Sequence, residues 1–377
     1  MPPLTGLNVL DFSTTVPGPL ATLALADAGA TVVKVERRDG GDPTRRTRPL
    51  SGGESLQFTM LNRGKRSLAV DLKDPDDRAA VVELAGKADI LVEQFRPGVM
   101  DRLGLGYEAL SRDNPGLIYC SITGYGQDGP YARRAGHDLN YLAKNGVLSL
   151  GGKDGEPVLP PALIADIGGG TYPALVNILL ALLERERTGR GRHLDIAMAE
   201  QIFPWISRQL AVLAGDGAAP RPGESSHTGG TPRYGVYRAA DGRYVAIAPL
   251  EEKFWHGFCK AIDLPAELRA TAADAGEVRA AIAERLAKHT SSHWQTVFGD
   301  DSCVDVVRDL GEATADPHFT ERGIFAQKLT MADGRTISAL PPIPARGFVR
   351  DDAGAAPPLG ELSVTDDPWS GPGWKST

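Results

Sequence analysis

Residues 8–36 read NVLDFSTTVPGPLATLALADAGATVVKVE, and the fold class turns on this stretch. Val9–Phe12 is a short apolar run followed by a loop, Ser13-Thr14-Thr15-Val16-Pro17-Gly18-Pro19. A small-residue helix then extends to about Ala28, and Gly29 stands where a helix ends on a left-handed residue. Thr31–Val35 is a second apolar run, closed by Glu36. A helix between two strands supplies the long crossover that parallel neighbours need. The alternation continues outward. Leu68–Leu72 follows the basic turn Asn62-Arg63-Gly64-Lys65-Arg66, and Asp74–Lys87 reads as a helix with acidic residues in its first turn. Asp89–Phe95 and Leu117–Thr123 are further apolar strands. The pattern predicts an α/β protein with a mostly parallel sheet covered by helices.

Beyond the sheet, Asp166–Arg187 is the strongest helix signal, opening with Asp166-Ile167-Gly168-Gly169-Gly170. Its interior is almost wholly apolar, so burial is expected. Asp195–Leu213 reads as another helix, and the Gly-, Pro- and Ser-rich stretch 215–233 as a linker. Tyr234–Pro249 predicts a hairpin turning at Asp241-Gly242. Helices over Glu251–Ala261, Glu277–Lys288 and Trp294–Phe298 complete a smaller α+β unit. The expected organisation is a large domain beginning with residues 1–214, a linker at 215–233, a small domain at 234–329, and a segment at 330–377 returning to the large domain.

The chain has 377 residues, with Lys+Arg 41 against Asp+Glu 48, a formal charge of −7. That balance offers no global attraction to nucleic acid or an anionic membrane, so an anionic ligand needs a local basic cluster. Cys120, Cys259 and Cys303 fit neither a disulfide framework nor a zinc spacing, and a reducing, cytoplasmic setting is expected. The N-terminus carries no signal-peptide pattern. The longest apolar segment, near Tyr172–Leu183, is too short to span a bilayer.

Candidate chemistry gathers at the strand ends. Glu36 after the second strand invites a dinucleotide reading, but the loop lacks G-x-G-x-x-G and two prolines remove amide donors. Arg37 and Arg38, Lys65 and Arg66, and Arg96 with Arg102 are either solvated surface charge or, together, a phosphate-binding set. His137, in Gly136-His137-Asp138-Leu139-Asn140-Tyr141, is either a hydrogen-bonded loop residue or a group titrating at the sheet's ligand edge. Asp166 is either an N-cap or a reactive carboxylate beside glycines that admit a ligand and amides that steady an anion.

The chain resembles the family III coenzyme A transferases and, within them, the α-methylacyl-CoA racemases, from Gly6 to about Phe348. The likeness is carried by Pro17-Gly18-Pro19, Val32–Arg37, Arg63–Leu68, Arg96–Met100, Gly136–Tyr141, Ala165–Gly170, Gly229–Pro232 and Cys303-Val304. The resemblance implies a Rossmann-like large domain, a smaller α+β domain and an interlocked homodimer. It implies His137 and Asp166 as the acid/base pair, supported by Glu251 from the second chain. Arg37, Val70, Asp71, Leu72, Lys73, Arg96, Arg102, Gly136, Asp138 and Tyr141 would bind coenzyme A. No cofactor is implied beyond coenzyme A carried as the substrate thioester, and no metal. Racemase chemistry is expected, with CoA transfer through an Asp166 anhydride as the alternative. A non-catalytic acyl-CoA binder is the third possibility, though mere binding needs none of these three residues. Arg233 after Gly229–Pro232, Glu252 beside Glu251 and Asp305 near Cys303 depart from the racemase pattern. An arginine at 233 would favour a carboxylated acyl chain if it lined the acyl pocket.

Overall fold

The structure is a computed structural model that describes residues 1–153 and 155–369. The chain forms two compact units. The first comprises Met1–Asn145, Pro161–Trp205 and the residues from Pro317 onward; the second comprises Gly146–Pro160 and Ile206–Asp316. These divisions fall at 205 and 316 rather than at the expected 214 and 329. Part of the second unit also comes from Gly146–Pro160, which the sequence assigned to the large domain.

The first unit is built on β1 (Asn8–Asp11), α1 (Pro17–Asp27), β2 (Thr31–Arg37), α2 (Leu56–Asn62), β3 (Arg66–Val70), α3 (Pro75–Gly86), β4 (Ile90–Glu93), β5 (Ile118–Thr123), α4 (Asp138–Lys144), α5 (Tyr172–Thr188) and β6 (His193–Ala197). The six strands form one sheet in the order β3-β2-β1-β4-β5-β6, and every pairing is parallel. This is the doubly wound, Rossmann-like arrangement, whose order reverses between β1 and β4. Ligands of such sheets bind at the carboxyl ends of the strands near that reversal.

β1, β2, β4 and β5 are almost wholly buried because both faces of the sheet are covered. β6 corrects the helix expected from Asp195. Leu194 and Ile196 are buried while His193 and Asp195 are exposed, the period-two pattern of an edge strand. A 3-10 turn at Phe203–Ile206 leads into α-helix at Ser207–Asp216. At the other edge the C-terminal segment runs back over the sheet: Leu362 bridges Leu68, and the Leu362 amide donates to the Ser67 carbonyl. The expected segment beyond residue 369 lies outside the described residues.

Lys65 does not serve the phosphate role open to it. Its ammonium is fully buried and donates to Asp11 Oδ2 at 3.1 Å, the Pro19 carbonyl at 2.9 Å, Thr22 Oγ1 at 2.8 Å and Asn62 Oδ1 at 2.9 Å. Burial pulls its pKa down to about 8, against the opposing pull of Asp11. Lys34, equally buried, pairs with Asp42 at 3.0 Å and donates to the Ser13 carbonyl at 2.6 Å. Arg63 forks onto Asp27, with Nη2 at 2.9 Å from Oδ2. These cations lock α1 and the loop before it onto the sheet. Buried charges persist only when paired in this way.

The second unit has an antiparallel sheet of β7 (Gly235–Arg238), β8 (Tyr244–Ile247) and β9 (Val304–Val306), with β8 central. The hairpin turns where the sequence placed it, with Gly242 at φ 83°. Helices α6 (Glu252–Ala261), α7 (Ala275–Leu286) and α8 (Ser291–Val297) enclose Trp255, Phe258, Ile282, Leu286 and Trp294. The stretch read as a linker is part of this unit: the Gly223 amide donates to the Leu150 carbonyl at 3.0 Å.

Candidate active site

His137 and Asp166 are distant in the chain and meet through Asp138. His137 is the N-cap of α4 and is exposed; Asn140 Oδ1 accepts from its amide at 3.0 Å. Asp138, the next residue, is buried. Its Oδ1 accepts from the amides of Ala165 at 2.7 Å and Asp166 at 2.9 Å. One carboxylate therefore fixes the segment carrying Asp166 to the turn carrying His137. Asp138, expected to contact coenzyme A, therefore also has an internal role.

Asp166 is not an N-cap. It lies inside a π-helical segment, Ile164–Thr171, that runs directly into α5. Such wide turns recur at functional sites because they displace a side chain from the regular helical register. The carboxyl of Asp166 is half-buried, and burial pushes its pKa up to about 6. The negative charge of Asp138 acts in the same direction, while the His137 imidazole opposes both. A carboxyl poised there exchanges a proton near neutral pH, as a general acid or base requires.

The glycines after Asp166 are packed rather than open. A Cβ on Gly168 would lie 2.5 Å from the Trp205 ring, and one on Gly169 would lie 2.2 Å from the Met198 carbonyl oxygen. Their freedom from side chains lets the π segment press against the chain after β6. Thr171 Oγ1 also donates to the Pro17 carbonyl at 2.8 Å, tying the segment to the loop at the reversal point. Within that loop Thr15, a non-glycine residue, holds φ 64°, a strained conformation for a β-branched side chain.

Tyr141 and Gly136 hold each other. The Tyr141 hydroxyl donates to the Gly136 carbonyl at 2.6 Å, and its ring fills the space a Cβ on Gly136 or Gly124 would need. Val70 is buried, and its carbonyl accepts from the Arg38 amide. Leu72 packs on the core, whereas Asp71 and Lys73 are exposed. Among the basic residues, Arg38 pairs with Asp77 and Arg66 donates to the Pro368 carbonyl. Arg37, Lys73, Arg96 and Arg102 are exposed and form no ion pair among the described residues. They stand at the end of β2 and after β3 and β4, on the carboxyl edge of the sheet, available to an anion.

In the second unit Glu251 is the N-cap of α6, exposed, with a carboxylate that makes no capping bond. The two departures beside it satisfy each other: Arg233 Nη1 donates to Glu252 Oε1 at 2.6 Å. The sequence held both residues but not their pairing.

A doubly wound α/β unit thus sets an imidazole near a carboxyl whose pKa burial raises and, along the same sheet edge, arginines outside any ion pair among the described residues. That combination defines an enzyme site rather than a scaffold. The chain belongs to CoA-transferase family III, whose pattern it matches over residues 4–362. It is 38% identical over 332 residues to the alpha-methylacyl-CoA racemase of Homo sapiens, covering 85% of this chain and 82% of that protein. It is 35% identical over 334 residues to the acetyl-CoA:oxalate CoA-transferase of Acetobacter aceti, covering 86% and 85%. Its fold is similar to a CAIB/BAIF family protein from Brucella suis, with a TM-score of 0.81, 30% identity, and coverage of 95% and 97%.

Proposed function

We propose that this enzyme inverts the α-carbon of 2-methylacyl-CoA thioesters by two-base proton transfer through an enolate. The observation that supports the reading is the Asp138 carboxylate, which ties the backbone of Ala165 and Asp166 to the residue beside His137. An α-proton beside a thioester is weakly acidic, so its removal needs a placed base. Inversion needs a second group on the opposite face. For one enantiomer His137 takes the proton and protonated Asp166 delivers another; for the other enantiomer the roles exchange. The raised pKa of Asp166 supports this, because both of its protonation states are accessible near neutrality. Arg37, Lys73, Arg96 and Arg102 would hold the phosphates of coenzyme A.

Glu251 would orient or charge-balance His137 from a second copy of the chain. A homodimer is supported by α5. One of its faces beds Ala174, Leu175, Ile178 and Ala181, but Tyr172, Val176, Leu179, Leu180 and Leu183 form an exposed apolar stripe. Burial of the whole helix was the expectation, and the exposed stripe corrects it for the single chain. The continuous stretch Ile164–Thr188, longer than the run read from the sequence, is by length and composition apolar enough to cross a membrane. A helix already bedded on one side and apolar on the other suits a protein partner.

The test is incubation with 2-methylacyl-CoA thioesters in deuterated water, with and without free carboxylates. Deuterium entering the α-position without an acceptor supports racemisation, and its retention in His137→Ala would remove the two-base scheme. The acetyl-CoA:oxalate transferase relative, at 35% identity, favours a second reading in which Asp166 forms an acyl anhydride. In that case coenzyme A migrates only when a carboxylate is present, and hydroxylamine traps the intermediate.

A further inference from the structure

Arg233 and Glu252 remain outside the chemistry so far described. Arg233 rests on the indole of buried Trp255, its Cζ 4.8 Å from the ring centroid. Trp255 is itself anchored by a hydrogen bond from Nε1 to the Arg269 carbonyl at 2.9 Å. From this base Arg233 Nη1 reaches Glu252 Oε1 at 2.6 Å and, at longer range, the Leu250 carbonyl at 3.4 Å. Leu250 and Glu252 flank Glu251. The turn between them is already tight, with the Leu250 amide donating to the Ala248 carbonyl at 2.8 Å. The side chain of Arg233 is only 14% exposed, against 62% for Glu252, so the cation is planted inward and its partner folds onto it.

We propose that Arg233 is a positioning residue, which with Glu252 clamps the backbone on both sides of Glu251 and fixes where its carboxylate is presented. The inference deepens the acid/base reading above and rests on it. It also withdraws the carboxylated acyl chain suggested by an arginine at this place in the sequence. A guanidinium neutralised by its own glutamate and stacked on an indole has little left for a substrate carboxylate.

The experiment compares full-length wild type with Arg233→Met, Arg233→Lys, Glu252→Gln, the charge swap Arg233→Glu/Glu252→Arg, and Glu251→Gln. Deuterium exchange is followed from pH 6 to 9 with two 2-methylacyl-CoA thioesters, one neutral at its far end and one ending in a carboxylate. Circular dichroism and gel filtration monitor folding. Arg233→Met is expected to lower kcat about tenfold for both thioesters, with KM held within about twofold and a displaced pH profile. The swap and Arg233→Lys are expected to recover part of that loss, as coupled residues do.

An unchanged kcat in Arg233→Met overturns the proposal. So does a loss confined to KM for the carboxylated thioester, which would make Arg233 a substrate receptor. Equal loss of fold and activity in all four Arg233 and Glu252 variants would leave only a structural role and also overturns it. If Glu251→Gln exchanges like wild type, the reading of Glu251 as the partner of His137 falls and the clamp falls with it. If Glu251→Gln fails while Arg233→Met does not, only the clamp falls.

Discussion

Asp166→Asn should make the protein more stable at neutral pH while removing its activity. The native Asp166 carboxyl is displaced from its ordinary 3.8 to about 6, first by burial and then by the charge of Asp138. Between those values the native state binds more protons than the unfolded state. Stability attributable to this group therefore falls as pH rises from about 4 to about 6, and the penalty is complete above that. At 1.36 kcal/mol per pH unit the displacement amounts to about 3 kcal/mol, which solvent screening of a half-buried carboxyl reduces to about 2 kcal/mol. Asparagine is nearly isosteric and uncharged, so it escapes the penalty at every pH. Urea unfolding of both proteins from pH 4 to 8, followed by tryptophan fluorescence, measures the difference. The curves should converge near pH 4 and separate by about 2 kcal/mol at pH 8, with the variant above. A constant gap across the range, or a variant less stable at pH 8, would refute the argument that a destabilised carboxyl has been retained for chemistry.

Asp138→Asn should keep an acceptor for the Ala165 and Asp166 amides but remove the charge that raises Asp166, so the acid limb of the exchange profile should move to lower pH; an unmoved limb counts against this role of Asp138. Gly169→Ala should destabilise by about 1–3 kcal/mol and lower kcat, because its Cβ meets the Met198 carbonyl, a backbone atom that cannot swing aside; thermal melting and exchange rates check both. Lys65→Met should cost about 3–5 kcal/mol by leaving Asp11 with less compensation in a fully buried site, read from chemical denaturation. Leu180→Glu/Leu183→Glu, on the exposed stripe of α5, should give a monomer by light scattering with exchange lost, if the site is shared between copies.

The exposed arginines were legible because strand-terminal basic residues repeat along the sequence. Lys65 looked the same and was not, since only its three-dimensional neighbours reveal a buried ammonium among four oxygens. The motif around Asp138 shows a candidate ligand contact but not the internal bonds this residue makes. Its partners, the amides of Ala165 and Asp166, are backbone atoms that carry no residue signature. Gly168 and Gly169 are a similar case: a glycine shows that space is needed, but not what fills it. Trp205 and Met198 fill it.

The order of apolar runs and small-residue helices was enough to determine the parallel sheet, because side-chain periodicity and short connections are local properties. The presence of an imidazole, an aspartate and a glutamate suited to proton transfer was also written in the chain. Their use was not. That Asp138 joins His137 to Asp166, that Arg233 turns inward onto Glu252, and that one side of α5 stays uncovered are outcomes of tertiary packing. Each depends on groups brought together across many residues, where burial and charge alter what the same side chain would do in water.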